Sequence, residues 1–520
     1  MFCYQCEQTA HGTGCTEIGV CGKNAEVAGR QDLLLDVTKQ LALHLSRRPA
    51  SERRAAAGLI EEALFATVTN VNFEVERLDA LIRTVAAAAG SRLPEAGDDL
   101  RALADAAGIP VRRERYGADV TGLQELLTYG LKGMAAYAHH ARRLGQVSAA
   151  VDDFTLTALA ALADGEADPD RLLDLNMRCG AASVEVLACL DAANTGAFGA
   201  PSPAPVRLGH VPGKAILVSG HDLGDLAALL EQTAGTGINI YTHGEMLPAH
   251  GYPELRRHPH LVGHYGGAWM RQRVEFDAFP GAILMTTNCI QKPAPTYAER
   301  LFTCGPVAWP GVGHVAGQDF SAVIAAAQAA PGFTDTVSQG EHWAGFGHHA
   351  VLGLADTVIA AIKNGDIRRF AVIGGCDGSD TARSYYTDLA TGLPKDWVIM
   401  TLGCGKFRVI GHDYGQIGAV PRLLDLGQCN DAFSAIRIAQ ALAGAFGCEL
   451  NDLPVRLILS WYEQKAVCVL LALLHLGLRD IRIGPSLPAF VTPALLQILA
   501  DKFAVHPVGT VEGDLEALVA

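Results

Sequence analysis

Ala200-Pro-Ser-Pro-Ala-Pro205 is where the chain changes character. It is a Pro-rich linker of the sort that separates domains. Before it, from Gln31 to about Asn194, apolar residues recur at three- and four-residue intervals, the period of packed helices. Ser51–Thr69, Phe73–Ala89, Leu123–Leu144 and Arg171–Ala192 carry that period between Gly or Pro punctuation, with Ser51 and Glu52 read as an N-cap and first turn. After it, short β-branched runs alternate with helical patterns. Ala215–Ser219, Ile238–Tyr241, Ala282–Thr286, Phe370–Ile373, Val398–Leu402, Val455–Ser460 and Ile481–Ile483 read as buried parallel strands. Alternation of this kind implies doubly wound α/β layers, with a break around Gly340–Leu354. The expected fold class is multidomain α plus α/β: a helical domain over 1–205 and two α/β domains over 206–352 and 353–520.

Composition narrows the function. The 520 residues are 49% hydrophobic, enough for several cores, and the formal charge of −14 disfavours a nucleic-acid partner. Met1-Phe2-Cys3 leaves no room for a secretory leader. The most apolar run, Ala466–Leu478, is too short to span a bilayer and reads as a buried helix. Thirteen cysteines in a chain without a leader point to metal binding rather than a disulfide framework. The expectation is a soluble cytoplasmic metalloprotein with neither a membrane nor nucleic acid as partner.

Four of those cysteines, Cys3, Cys6, Cys15 and Cys21, follow C-x2-C-x8-C-x5-C on a Gly-rich stretch (Gly12, Gly14, Gly19, Gly22). Thiolates this close can wrap one iron–sulfur cluster. Tetrahedral zinc is the competitor, but zinc sites usually come as two paired knuckles. The five-residue gap between Cys15 and Cys21 suits a cluster better.

Reactive side chains also recur at the ends of the expected strands. They are His221 in Val218-Ser-Gly-His221, His243 and Glu245 in Tyr241-Thr-His-Gly-Glu245, and Cys289 in Thr286-Thr-Asn-Cys289. Further on come Cys376 after Gly374-Gly375, Cys404 between Gly403 and Gly405, and Glu463 with Lys465 in Trp461-Tyr-Glu-Gln-Lys465. Ligands gather at the carboxyl ends of strands in open α/β sheets, and Cys429 in Gly427-Gln-Cys-Asn430 can join from a loop. One cysteine after a strand is more often a small buried hydrophobe than a ligand. Repetition beside glycine raises the metal reading. Cys179, Cys189, Cys448 and Cys468 lie in helical patterns and read as packing residues, whereas Cys304 is left open.

The segments MFCYQCEQTA, GCTEIGVCGK, SGHDL, YTHGEMLPAHGYPEL, ILMTTNCIQKP, IGGCDGSD, TLGCGKFR, DLGQCND and SWYEQKAV resemble, in order and over the whole chain, those of the hybrid cluster protein family, also called the prismane or hydroxylamine reductase family. The resemblance implies a helical N-terminal domain followed by two Rossmann-like α/β domains, similar in fold to carbon monoxide dehydrogenase. It implies a conventional cluster on Cys3, Cys6, Cys15 and Cys21, whose spacing looks like the [4Fe–4S] subgroup rather than the [2Fe–2S] one. It implies a hybrid [4Fe–2O–2S] cluster on His221, Glu245, Cys289, Cys376, Cys404, Cys429 and Glu463, with Cys376 as a persulfide.

The implied activity is oxidoreductase chemistry: hydroxylamine is reduced to ammonia and water with electrons from an external donor protein, relayed by the first cluster. Glu463, Glu245, His221 and Cys376 stand at the reacting end, and Lys465 and His243 are candidates for proton donation or ligand orientation. Reduction of nitric oxide in nitrosative-stress defence is an alternative. Another is a non-catalytic nitric oxide sensor or a factor that nitrosylates partner thiols, for which Cys304 is the candidate thiol.

Overall fold

The computed structural model describes residues 1–91, 93–94 and 98–519; positions 92, 95–97 and 520, inside the first and third expected divisions, lie outside the described residues. The first part is helical: α1 (Ala25–Leu45), α2 (Ala50–Ala66), α3 (Val75–Ala88), α4 (Asp98–Ala107), α5 (Ile109–Arg143), α6 (Ala149–Ala163) and α7 (Pro169–Phe198). Local chemistry starts several of these. The Asn24 side chain accepts from Val27 N–H, Ser148 from Val151 N–H, and Asp168 from the amides of Asp170 and Arg171 ahead of Pro169. The expected cap at Ser51 is not there: α2 begins at Ala50 behind Pro49, and Ser51 lies inside the helix. α5 is interrupted at Gly117 (φ 78°), so the expected Leu123–Leu144 helix is its second limb.

Two sheets follow. The first holds β1 (Ala204–His210), β2 (Lys214–Ser219), β3 (Ile238–His243), β4 (Leu261–His264), β5 (Ala282–Met285), β6 (Leu301–Cys304), β7 (Gly313–Val315) and β8 (Val337–Ala344), in the order β7-β6-β5-β2-β3-β4-β1-β8. Its pairings are parallel except at the edge, where β8 runs antiparallel to β1. That edge departs from the parallel reading of the sequence. β8 is exposed along most of its length, so it carries no buried β-branched run to announce it.

The second sheet holds β9 (Arg369–Gly375) and β10 (Trp397–Thr401); a small hairpin, β11 (Gln416–Ile417) with β12 (Val420–Pro421), stands apart before β13 (Leu423–Asp425), β14 (Val455–Ser460), β15 (Ile481–Gly484) and β16 (Val505–Pro507). The order β13-β10-β9-β14-β15-β16 is parallel throughout. Each sheet has a switch point where successive crossovers diverge, between β2 and β5 in the first and between β9 and β14 in the second. The crevice beyond the strand ends at such a point is where α/β sheets hold ligands.

A buried ionic cluster joins the sheets. Lys406 Nζ lies 2.5 Å from Asp425 Oδ1 at the end of β13, and His342 Nε2 on β8 lies 2.9 Å from Asp425 Oδ2. Both Lys406 and Asp425 are fully withdrawn from water. Lys406 and His342 together outweigh burial and hold the Asp425 carboxyl below its ordinary range. Cutting one partner strands a buried charge. Lys406→Met is therefore expected to cost about 3–5 kcal/mol, read as a lower midpoint of thermal unfolding, whereas Lys395→Met on the surface is expected to leave it unchanged.

Candidate metal centres

The first group of thiols lies on the loop that opens the chain. Cys3 and Cys15 face each other across an isolated antiparallel bridge, with Cys15 N–H donating to Cys3 O at 2.8 Å and Phe2 N–H to Cys15 O at 2.9 Å. The Cys15 sulfur receives the Ala10 amide at 3.5 Å and lies 3.7 Å from the Thr9 hydroxyl. Lys23 Nζ points at Cys3 Sγ from 3.9 Å, and its ammonium is favoured by the sulfurs of Cys3, Cys21 and Cys6 against burial. Burial, then the neighbouring charges of Cys21 and Cys3, pushes the Cys6 thiol well up. The loop is pinned from below. Gln464 donates to Gln5 O at 2.6 Å and accepts from Thr69 N–H at 2.9 Å, while fully buried Arg383 binds Glu7 at 2.7 Å and Trp461 O at 2.9 Å.

The second group lies just past the carboxyl ends of strands in both sheets, with His221, Cys289, Cys376 and Glu463 following the strands that border the switch points. His221 follows β2, Glu245 follows β3 and Cys289 follows β5, while Cys376, Cys404, Cys429 and Glu463 follow β9, β10, β13 and β14. One donor atom each of His221, Glu245 and Cys429 lies within 4.8 Å of the other two, and all three residues are buried. Glu245 bridges the sheets: its Oε1 accepts the Cys404 amide at 2.9 Å and its Oε2 the Cys429 amide at 2.8 Å. His221, Lys465 and the Cys429 amide beside it outweigh burial and hold the Glu245 carboxyl well below its ordinary range. Cys289 adopts φ 76°, a left-handed conformation costly for a residue with a Cβ, and strain of this kind concentrates at functional positions.

Protonation follows from the contacts. Burial, then the Lys465 charge, lowers His221 to about 4, so its ring is neutral at pH 7. The sulfur of Cys429 and the carboxylates of Glu463 and Glu245 raise Lys465 against burial, so it stays an ammonium. Lys465 Nζ lies 3.2 Å from His221 Nε2 and 3.0 Å from Asn288 Oδ1. An ammonium only donates, so Nε2 carries the lone pair and the ring proton sits on Nδ1, 2.8 Å from the Thr287 hydroxyl. His221 Nε2 and Glu245 Oε2 are then two lone-pair atoms 3.3 Å apart. That separation matches neighbouring ligands on one metal at ~2.0–2.1 Å bonds. Burial also raises the thiols of Cys289, Cys404 and Cys429 well above their ordinary value and pushes Cys376 up to about 12. As thiolates these groups need cationic charge beside them, which a metal cluster supplies.

One apolar cluster links the two groups. Cys6, Trp269, Tyr462 and Cys404 pack together, with Cys289 and Cys376 against them, and the Trp269 and Tyr462 rings are 4.7 Å apart. Tyr462, Trp269, Asn288 and Thr287 escape a reading for metal ligands because none is one. Their only signal is adjacency to Glu463 and Cys289, and Trp269 lacks even that. His243 contacts Ser219 Oγ at 2.9 Å and Glu275 at 2.9 Å, the latter beneath exposed Arg271.

The remaining cysteines sort by setting. Cys179 and Cys468 are buried in helices, but Cys448 lies just past the helix Phe433–Phe446 rather than inside it. Cys304 is fully buried with its thiol on Asp225 Oδ2 at 3.3 Å, and burial raises it well above its ordinary value. A thiol that exchanges with partner proteins must be reachable.

An apolar cavity of about 60 Å³ adjoins the second group, lined by Cys376, Cys429, Tyr137, Leu402, Ile436 and Leu457.

The Prismane/CO dehydrogenase family description matches residues 1–516, and the chain belongs to that family. It is 56% identical to the hydroxylamine reductase of Rhodospirillum rubrum and 55% identical to that of Zymomonas mobilis, over 100% of this chain and 99% of each relative. Its fold is similar to a Ni-free crystal structure of carbon monoxide dehydrogenase from Thermococcus sp. AM4 (TM-score 0.60, 18% identity, 99% of this chain and 90% of that one). It is also similar to carbon monoxide dehydrogenase IV from Carboxydothermus hydrogenoformans (TM-score 0.59, 17% identity, 97% and 89%). No helix among the described residues is long and apolar enough to cross a membrane.

The helix Gln464–His475 sets the position of Glu463, its N-cap, and of Lys465. It lies so close to α5 that a Cβ on Gly133 would stand 2.6 Å from Gln464 O and 2.7 Å from Cys468 Cβ. Gly133→Ala is expected to cost about 1–3 kcal/mol through overpacking, seen as a lower apparent midpoint of thermal unfolding; Gly196→Ala on α7, with open space around it, serves as the control.

Proposed function

We propose that this protein is a hydroxylamine reductase that cleaves the N–O bond with two electrons and two protons to give ammonia and water. The observation that carries this reading is the mixed set of buried nitrogen, oxygen and sulfur donors converging at two sheet ends, joined by an apolar bridge to a separate set of thiols. The donors fit iron–sulfur centres: Cys3, Cys6, Cys15 and Cys21 would hold a [4Fe–4S] cluster. His221, Glu245, Cys289, Cys376, Cys404, Cys429 and Glu463 would hold a hybrid [4Fe–2O–2S] cluster, with Cys376 as a persulfide. The names of the R. rubrum and Z. mobilis relatives support the substrate.

When bound, the centres supply electron storage through soft sulfur ligation and open iron positions through the harder oxygen and nitrogen ligands. The protein's own groups do the rest. Thr287 fixes the His221 tautomer so that Nε2 faces inward. Lys465 holds an ammonium against Asn288 and His221 and neutralises part of the carboxylate and thiolate charge. The Ser219–His243–Glu275 chain offers a protonatable route toward the surface. Trp269 and Tyr462 keep water out of the space between the two thiol groups. An external protein is the electron donor, and the three divisions 1–205, 206–352 and 353–520 meet around the second centre.

The apolar cavity beside Cys376 and Cys429 favours a second reading, reduction of nitric oxide, because an apolar lining suits a weakly solvated diatomic better than hydroxylamine. Anaerobic kcat/KM for both substrates with one artificial donor, on protein of known iron content, separates the two. Faster hydroxylamine turnover supports the proposal, and a large preference for nitric oxide replaces it. Glu463→Gln is expected to abolish turnover while the spectrum of the first cluster persists; full activity in a loaded variant would refute its role. Thr287→Val is expected to lower activity by about 10–100-fold, as for loss of a group that orients a ligand.

A further inference from the structure

We propose that Asp191, His348 and His349 form an additional site, apart from both centres above, for a divalent transition-metal ion of the zinc class. One carboxylate oxygen of Asp191 and one ring nitrogen from each histidine lie within 4.8 Å of one another. Asp191 comes from α7, near its carboxyl end, and the histidines open the helix His348–Leu352 between the two sheets. Ser434, on the helix Phe433–Phe446 of the second sheet's layer, accepts the His348 amide at 3.1 Å and lies 3.3 Å from its Nδ1. The site therefore stands where the helical part, the connecting segment and the second α/β layer meet.

An ordinary Asp–His hydrogen bond does not account for the cluster. Asp191 Oδ1 is 3.6 Å from His348 Nδ1, too long for one, and Ser434 competes for the same nitrogen. Among the described residues, no Lys or Arg makes an ion pair with Asp191. Burial raises its carboxyl to about 6, while exposed Arg437 acts on it only through space. This is a carboxylate short of a cation.

The histidines are prepared to bind one. Their ring centroids lie 4.0 Å apart at an angle of 36°, and one nitrogen of each ring lies within 4.8 Å of the other. Burial, then the neighbouring His349, then Arg437 lower His348 to about 4, leaving it neutral, the form in which imidazole binds metal. Two imidazoles and a carboxylate suit zinc, cobalt, nickel or copper, whereas calcium and magnesium favour oxygen alone. A pair at the 4.8 Å limit would draw in by about 1.5 Å to reach the spacing of tetrahedral ligands at ~2.0–2.1 Å bonds. His349 is exposed, which provides an entry path and room for a water as fourth ligand.

The test uses the full, cluster-loaded chain. Protein washed with chelator is titrated with Zn²⁺ by calorimetry, and bound zinc is measured by mass spectrometry alongside iron. The expected result is one zinc per chain, unaffected by excess Mg²⁺. Affinity should weaken by about 10-fold or more in both Asp191→Asn and His349→Ala, with iron content and visible spectrum unchanged. Zinc should also raise the thermal midpoint of the parent protein but of neither variant. His349→Ala alters an exposed side chain, so it keeps the test alive if Asp191→Asn fails to fold. Zinc binding that is absent in the parent, or equally tight in His349→Ala, overturns the proposal.

Discussion

Lone pairs brought face to face inside a protein repel one another unless a cation lies between them, and the centre of this molecule is organised around that constraint. His221 Nε2 and Glu245 Oε2 stand 3.3 Å apart with the Cys429 sulfur close by, all out of water. The only side-chain cation the described residues place against His221 Nε2 is the Lys465 ammonium. Placing such donors together costs several kcal/mol of desolvation each. The fold bears part of that cost by holding donors through groups outside their own strands, the His221 ring by the Thr287 hydroxyl for one. Glu245 is likewise fixed by amides from two loops of the opposite sheet.

The architecture explains how donors far apart in sequence meet. A parallel strand points its carboxyl end in the same direction as its neighbours, so residues just past the strands share one rim. Here two such rims are opposed, and the buried Lys406–Asp425–His342 cluster clasps one sheet to the other. Paired charges of this kind add little net stability, yet they punish any arrangement that leaves one charge alone. The same logic applies to Arg383, whose guanidinium spans Glu7 of the opening loop and Ser460 and Trp461 at the end of β14. The opening thiols are thereby held against the second sheet, with Tyr462 and Trp269 packed between the groups.

Much of the fold was legible because it rests on local signals. The helical period before Pro201 and the β-branched runs Ala215–Ser219, Val398–Leu402 and Val455–Ser460 correspond to observed elements. What escaped was β1, which begins inside the Pro-rich stretch read as a linker yet pairs with both β4 and β8, and elements that are short or exposed: β4, β6 and β7 have too few residues for a pattern, and β8 is an exposed edge strand. The Ser51 cap failed for a related reason, since Pro49 can precede a helix as readily as a serine can cap one.

The sequence by itself determined which chemical groups this protein owns and where along each strand they fall. Cysteine spacing, glycine neighbours and strand periodicity are properties of contiguous residues. Only the tertiary structure decided which of those groups share a space. It opposes the two rims and sets the His221 tautomer through Thr287 and Lys465. It shuts Cys304 away from solvent, and it brings Asp191 to His348 and His349 across more than one layer of the fold. Those outcomes depend on strand order and on how helices and sheets pack, and no local pattern encodes either.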